Sequence, residues 1–141
     1  MQIIILDTNV VSEPLRKMPS ERVLAWLDAQ PTDALYLTTI TAAEILSGMA
    51  IMPAGRRKDM LREALEHLLS IVFRGRILPF DMQAARQFAV ISQKAREKGA
   101  GVGMADAQIA AIAVANGFSV AARDVTPFTA SGLHVINPWT A

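Results

Sequence analysis

The 141-residue sequence contains no cysteine and only two histidines, His67 and His134. Without cysteine there can be no disulfide framework, no thiolate zinc site and no thiol nucleophile. Any metal site must therefore depend on oxygen ligands, which favour Mg²⁺ or Mn²⁺. Aromatic residues make up 6% of the chain, so few side chains are candidates for stacking on nucleic-acid bases.

The sequence also lacks a long uninterrupted apolar segment. The N-terminal apolar run is short and no basic residues precede it, so it does not read as a signal peptide. Residues 102–122 are the most membrane-like stretch, but they include Asp106, and a spanning helix needs ~20 predominantly apolar residues. We therefore expect a cytoplasmic protein with no membrane partner.

Positive and negative charges nearly cancel along the chain. Fourteen Lys and Arg residues stand against thirteen Asp and Glu residues, which gives a formal net charge of +1. That total alone does not favour a nucleic-acid partner, because phosphates attract basic proteins. Apolar residues make up 52% of the sequence, too many for a disordered chain. The length predicts a single domain over residues 1–141.

Strand and helix patterns alternate, which predicts an α/β fold with a mostly parallel central sheet. The first strand is an apolar, β-branched run that ends at Asp7, as in strands buried on both faces. Residues 8–15 predict a turn or brief helix, and Ser20 and Asp81 are predicted helix N-caps. The predicted strands are residues 2–6, 35–38, 76–80, 119–122 and 134–136; the predicted helices are residues 20–27, 40–52, 57–72, 82–98 and 104–114.

Four acidic residues stand alone in largely uncharged surroundings. Three are the only charged residues of long segments: Asp7 in residues 1–12, Glu44 in residues 34–55 and Asp106 in residues 99–122. The fourth, Asp124, follows Arg123 and is the last formally charged side chain. Because an isolated carboxylate in apolar surroundings is costly to desolvate, each of these acids needs an explanation.

The predicted elements place these four acids near one another. Asp7 and Asp124 each follow the carboxyl end of a predicted strand, where ligands bind in open α/β sheets. Converging carboxylates repel one another, and a divalent cation relieves that repulsion. Since such a cation can bind phosphate oxygens and activate water, the residues alone predict metal-dependent phosphoryl transfer or phosphodiester hydrolysis.

Each acid taken singly also has a simpler explanation. Asp7 could cap the following turn, and Asp106 could be favoured by a helix dipole. Asp124 could pair with Arg123 or begin a turn. Glu44 has no such role, because it lies within a predicted helix among Ile, Ala and Leu. The coincidence of four isolated acids favours one shared site.

Four motifs resemble, in order, those of the PIN-domain ribonucleases. They are Ile5-Leu-Asp-Thr-Asn-Val-Val-Ser-Glu13, Thr41-Ala-Ala-Glu-Ile45, Ala105-Asp-Ala-Gln-Ile-Ala-Ala111 and Ala122-Arg-Asp-Val-Thr-Pro-Phe128. The resemblance is to VapC-type toxins of type II toxin–antitoxin modules, and within them to the FitB-like branch. Arg76-Ile-Leu-Pro-Phe-Asp81 and Ile136-Asn-Pro-Trp139 also resemble that branch, so the likeness covers essentially the whole chain.

The resemblance implies a three-layer α/β/α sandwich and a metal-dependent endoribonuclease that leaves 3′-hydroxyl and 5′-phosphate ends. The four acids named above would be the catalytic residues and would hold one or two Mg²⁺ or Mn²⁺ ions, directly or through water. Asp7 and Asp106 are the strongest ligand candidates. Thr8 and Asn9 would lie beside the site and orient Asp7 or a bound water, and Arg123 would support the site or orient the substrate.

Positive charge is clustered, with a local excess over residues 56–76 and again over residues 86–98. Arg56, Arg57 and Lys58 at a helix start are the best candidates for contact with the RNA backbone, although solvated helix faces often carry such charges. The resemblance further implies a cognate DNA-binding antitoxin that occludes the active site. Homodimerisation is expected both from the resemblance and from the frequency of two-fold oligomers.

Two alternatives compete with the ribonuclease interpretation. A haloacid-dehalogenase-like phosphatase would use Asp7 as its nucleophile, but it needs a second Asp where this chain has Asn9, and a lysine at the site. A non-catalytic PIN scaffold would work only through partners. The complete acid set argues against a scaffold, because four isolated carboxylates would have no use there.

Overall fold

The computed structural model describes residues 1–99 and 101–141. Within them, strands and helices alternate along the chain. The strands are β1 (Ile4–Leu6), β2 (Leu35–Thr38), β3 (Ile77–Leu78), β4 (Ser119–Ala121) and β5 (Val135–Ile136). The α-helices are α1 (Thr8–Ser12), α2 (Glu21–Asp28), α3 (Thr39–Ala50), α4 (Arg56–His67), α5 (Met82–Glu97), α6 (Met104–Asn116) and α7 (Thr126–Thr129). Short 3₁₀ turns cover Glu13–Leu15 and Thr32–Ala34.

The five strands form one sheet in the order β3-β2-β1-β4-β5, and every pairing is parallel. Strand β1 is central, with Ile4 opposite both Leu35 of β2 and Ser119 of β4. All carboxyl ends of the strands therefore lie at the same edge of the sheet. The predicted α/β class with a mostly parallel sheet is confirmed.

Apolar side chains fill a layer on each face of the sheet. Ile5 of β1 packs into one layer together with α5, α6 and Phe128 of α7. Its neighbours Ile4 and Leu6 point to the opposite face, into a layer that includes α1 and half-buried side chains of α2. Because successive strand residues alternate between faces, the unbroken apolar run of β1 indicates helices on both sides. The three-layer sandwich is confirmed.

Local signals set the helix ends where the sequence predicts them. The Ser20 hydroxyl accepts a hydrogen bond from the Val23 amide at 3.4 Å, and Asp81 accepts one from the Ala84 amide at 3.0 Å. At the end of α6, Gly117 adopts φ 71°, a left-handed conformation that glycine takes without steric cost.

The helix predicted over residues 57–72 differs in its last turn. It begins as α4, but residues Leu68–Val72 continue it as a π-helix. Its apolar side chains are only partly covered: Leu65 is fully buried, whereas Met60 is 61% exposed. The predicted amphipathic stripe is therefore real but leaves an open apolar surface.

In residues 1–99 and 101–141, no helix is both long enough and apolar enough to cross a membrane.

Candidate active site

The carboxyl edge of the sheet gathers the four acids that the sequence singles out. Asp7 directly follows β1, and Asp124 lies in the bend between β4 and α7. Glu44 lies in the second turn of α3, which follows β2, and Asp106 lies in the first turn of α6. We refer to these four residues as the acidic cluster.

Asp7 is the most deeply placed acid of the cluster, with 7% of its surface exposed. Burial raises its pKa from 3.8 to about 6, the Thr8 amide opposes that rise, and the charges of Asp106, Glu44 and Asp124 add to it. Asp7 precedes α1, yet its side chain makes no capping hydrogen bond to that helix. A capping role therefore does not account for Asp7, and the mutual repulsion places the four charges within range of one another.

Asp106 is the second acid of the cluster whose pKa is raised. Burial is the main cause of its raised pKa, followed by the charges of Glu44 and Asp124. Its position in the first turn of α6 is one that a helix dipole favours for a negative charge. Burial and the two neighbouring carboxylates therefore make Asp106 a less acidic group than an exposed aspartate.

Thr8 connects Glu44 to the first strand. Its hydroxyl donates a hydrogen bond to Glu44 Oε1 at 2.7 Å and lies 3.2 Å from the hydroxyl oxygen of Thr41. Thr41 is fully buried, and its amide donates to the hydroxyl of Thr38 at 3.1 Å. The exposed Glu44 carboxylate is thus fixed from within the protein. The Thr8 hydroxyl therefore orients Glu44, whereas the resemblance implied that Thr8 orients Asp7 or a bound water.

Asn9 and Arg123, the other two predicted orienting residues, make no such hydrogen bond to an acid of the cluster among the described contacts. Asn9 is exposed on α1 beside Asp7. The guanidinium of Arg123 lies over the ring of Trp139, 5.0 Å from the ring centre. The ion pairs of the described residues do not include one between Arg123 and Asp124. Asp124 instead begins a turn, because its Oδ1 accepts a hydrogen bond from the Thr126 amide at 3.3 Å.

The acidic cluster fits a hard divalent cation in chemistry, since its ligand atoms are all carboxylate oxygens. Across the described residues, no three Asp, Glu or His side chains already form a set that could hold one metal ion. Mg²⁺ tolerates such an arrangement, because it commonly keeps several waters and binds only one or two carboxylates directly. The residues present therefore fit a cation held partly through water.

Arg56 and Arg57 border an apolar groove between the start of α4 and the turn after α1. The groove is lined by Leu15, Lys17, Arg56, Arg57, Met60, Leu61 and Ala64. Lys58 points elsewhere and donates to the Ala50 carbonyl at 2.9 Å. The predicted basic patch is thus the rim of an apolar surface, which sequence charge alone did not indicate.

Arg76 contributes to the fold rather than to a basic surface. Its guanidinium donates to the carbonyls of Thr32 (2.6 Å), Leu35 and Val72, and it lies 5.0 Å from the ring centre of Phe73. The local excess of positive charge over residues 56–76 includes Arg76, so that excess overstates the charge available to RNA.

The geometry does not favour the phosphatase alternative. The charges that raise the pKa of Asp7 are all carboxylates. The four lysines occupy other places: Lys17 lines the apolar groove, Lys58 contacts Ala50, and Lys94 and Lys98 line a groove between α5 and residues 130–132. Asn9 also stands where that mechanism needs a second acid.

Comparisons with known proteins agree on one family. The model of the family described as PIN domain matches residues 4–128. The chain is 55% identical over 139 residues to plasmid stability protein StbB of Pseudomonas syringae pv. tomato, covering 99% of this chain and 100% of that protein. It is 49% identical to VapC ribonuclease Y4jK of Sinorhizobium fredii, covering 97% of this chain and 98% of that protein. Toxin FitB of Neisseria gonorrhoeae is 45% identical, with coverage of 97% and 99%.

A solved structure shares the fold closely. The structure described as FitAB bound to IR36 DNA fragment superposes with a TM-score of 0.93 at 44% identity, covering 97% of this chain and 96% of that chain. Coverage of nearly the whole of both chains at this identity means that the two proteins share one fold.

Proposed function

The chain belongs to the PIN-domain family, and from that premise we propose that it is a divalent-metal-dependent endoribonuclease. We further propose that it acts as the toxin of a type II toxin–antitoxin module. Its relatives include proteins named as a VapC ribonuclease and as a toxin. The proposal assigns the acidic cluster as the catalytic site and RNA as the substrate.

One observation carries this proposal: the fold brings Asp7, Glu44, Asp106 and Asp124 to the carboxyl edge of the sheet. In agreement with that placement, burial and then the charges of the other three acids raise the pKa of Asp7 to about 6. A folded protein does not gain stability from such repulsion. Binding of a divalent cation turns the same arrangement into a favourable one. The repulsion thus supports a site built for a cation and its phosphate ligand.

The residues have distinct roles in the proposed reaction. Asp7 and Asp106, the two acids whose pKa values are raised by burial, would hold Mg²⁺ or Mn²⁺ most directly. Glu44 and Asp124 would complete the site directly or through water. When bound, the cation supplies positive charge at the phosphate and a more acidic water for hydrolysis.

The surrounding polar side chains orient the acids. Thr8 holds Glu44 in one orientation through its 2.7 Å hydrogen bond, so this carboxylate does not have to be ordered when substrate binds. Asn9, exposed beside Asp7, is placed to contact a water or the substrate. Arg56 and Arg57 remain candidates for neutralising RNA phosphates. Alternatively, they contact a partner that binds in the adjoining apolar groove.

A protein partner is the second part of the proposal. A relative's structure is described as FitAB bound to DNA, and we propose that a cognate DNA-binding antitoxin occludes this chain's acidic cluster. The apolar groove with its rim of Lys17, Arg56 and Arg57 suits an apolar segment with acidic flanks. Homodimerisation of the toxin is also proposed, in keeping with the frequency of two-fold assemblies.

The test is to incubate the purified chain with total RNA and Mg²⁺ and to sequence the cut ends. We expect cleavage that leaves 3′-hydroxyl and 5′-phosphate ends, and no cleavage by the Asp106→Asn variant. RNA left intact by the folded wild-type protein would contradict the ribonuclease proposal and favour the non-catalytic scaffold.

A further inference from the structure

The C-terminal turn after β5 is tied to the bend that carries Asp124. The Asn137 side chain uses both of its ends: Oδ1 accepts from the Trp139 amide at 2.9 Å, and Nδ2 donates to the Arg123 carbonyl at 3.2 Å. Asn137 therefore links its own turn to the residue immediately before Asp124.

A second contact joins the same two segments. The Arg123 guanidinium lies 5.0 Å from the centre of the Trp139 ring, within the range of a cation–π interaction. Arg123 is also near Glu13, which is 3% exposed. The pKa of Glu13 is lowered chiefly by the Ser20 amide, then by Arg16, with a smaller contribution from Arg123. The Arg123 side chain is exposed, yet its guanidinium contacts the Trp139 ring and lies close enough to Glu13 to influence its pKa.

The contacts of Arg123 lie in the middle of the bend, between two ends that the backbone secures. Residues 122–125 lie between β4 and the four-residue α7, outside any helix or strand. The Ala122 amide donates to the Ile136 carbonyl at 2.9 Å, which secures the start of the bend. The Asp124 carboxylate accepts from the Thr126 amide at 3.3 Å, which fixes its rotamer only relative to the bend. The Val125 carbonyl accepts from the Phe128 and Thr129 amides, which secures the end of the bend, and the carbonyl and side chain of Arg123 connect its middle to the C-terminal turn.

We infer that Asn137 and Trp139 are positioning residues for Asp124, and hence for the fourth carboxylate of the acidic cluster. This inference rests on the proposed function of that cluster. The C-terminal Asn-Pro-Trp motif then has a role in the site although neither side chain belongs to the cluster. Trp139 acts through the side chain of Arg123, and Asn137 acts through its carbonyl, to place the bend.

The test measures Mn²⁺ binding, by the electron paramagnetic resonance signal of free Mn²⁺, and RNA cleavage as a function of Mn²⁺ concentration. Asn137→Ala should raise the Mn²⁺ concentration for half-maximal cleavage about tenfold and weaken Mn²⁺ binding in parallel, as expected when support for a metal ligand is removed. Saturating Mn²⁺ should restore the rate. Trp139→Leu should show the same shift, and Trp139→Phe, which keeps an aromatic ring for Arg123, should show less.

Thr140→Ala is the matched control in the same turn. It removes the γ-methyl group and the hydroxyl that lies 3.4 Å from the Asn137 carbonyl, and it leaves both contacts of the Asn137 side chain. Its Mn²⁺ midpoint should equal that of the wild type. A midpoint unchanged in Asn137→Ala and Trp139→Leu would overturn the inference. So would a rate that falls equally at every Mn²⁺ concentration, because that pattern reports loss of folded protein only.

Hydrogen exchange separates this inference from the proposed function. Peptides covering residues 120–128 should exchange faster in Asn137→Ala than in the wild type, while peptides of α5 stay unchanged. If the wild type cleaves RNA and this exchange is unaltered, the inference is overturned and the ribonuclease stands. If the wild type does not cleave, the ribonuclease falls, and the exchange and Mn²⁺-binding results still decide whether the turn positions Asp124.

Discussion

The hydroxyl of Thr8 donates a 2.7 Å hydrogen bond to the carboxylate of Glu44, across the packing of α1 against α3. Thr8 is the next residue after Asp7, so this bond fixes two acids of the cluster relative to one another. It also explains how an exposed acid on α3 can have a defined orientation in the absence of substrate.

Replacing Thr8 by Val removes the hydroxyl but keeps the shape of the side chain. We expect cleavage to fall about tenfold or more, because Glu44 loses the donor that orients it. Thr8→Ser retains a hydroxyl and should keep most of the activity. Equal rates for the two variants in a cleavage assay would show that the hydrogen bond is not used.

Replacing Asp7 by Asn should change activity and stability in opposite directions. Cleavage should be lost, since a principal metal ligand is removed. The free energy of unfolding at pH 7 in metal-free buffer should rise by about 3 kcal/mol, because the pKa of Asp7 is raised from 3.8 to about 6 in the folded chain. Urea denaturation measures the change, and a loss of stability would contradict the assigned burial and repulsion.

The same acid predicts a pH dependence of stability. Between pH 3.8 and about 6 the folded chain holds the Asp7 proton more tightly than the unfolded chain does. The contribution of Asp7 to the free energy of unfolding therefore falls as pH rises through this window and is at its minimum above it. The difference between Asp7→Asn and wild type should grow from near zero at the lower end to its full value at pH 7. A difference that does not vary with pH would contradict the raised pKa.

The sequence predicts this cluster because its signal is local. A β-branched run that ends in a single acid indicates a buried strand with a carboxylate at its end, and β1 followed by Asp7 has that form. Isolation within uncharged segments likewise marks Glu44 and Asp106. Such features depend only on residues that are close in the sequence, so they can be recognised without knowledge of the fold.

Contacts between distant segments could not be predicted in the same way. The bond from Thr8 to Glu44 spans 36 residues, and the one from Asn137 to Arg123 spans 14. Both depend on the exact packing of loops and helix ends. A charge count also cannot tell a solvated arginine from one such as Arg76, which is bound to backbone carbonyls. The sequence signal for Asn137 was the Asn-Pro-Trp motif, whose contacts only the fold defines.

Arg76 and Arg57 test the difference between an arginine bound to backbone carbonyls and an exposed one. Arg76→Met should lower the free energy of unfolding by about 2–4 kcal/mol, because three carbonyls lose a charged donor. Arg57→Ala, at an exposed position, should stay within about 0.5 kcal/mol of the wild type. For RNA binding, we expect Arg57→Ala to have the larger effect. It should weaken RNA affinity and reduce the salt dependence of that affinity, whereas folded Arg76→Met should change neither. Urea denaturation measures the two stabilities, and RNA-binding curves at several salt concentrations measure the two affinities.

The central claim is that the acidic cluster works by holding a divalent cation, and metal removal followed by replacement tests it most directly. The purified chain is treated with EDTA, assayed on RNA, and assayed again after addition of excess Mn²⁺, with Asp7→Asn carried through the same steps. We expect EDTA to stop cleavage, Mn²⁺ to restore it in the wild type, and the variant to stay inactive throughout. Cleavage by the wild type that persists in EDTA, or full cleavage by Asp7→Asn, would contradict that claim.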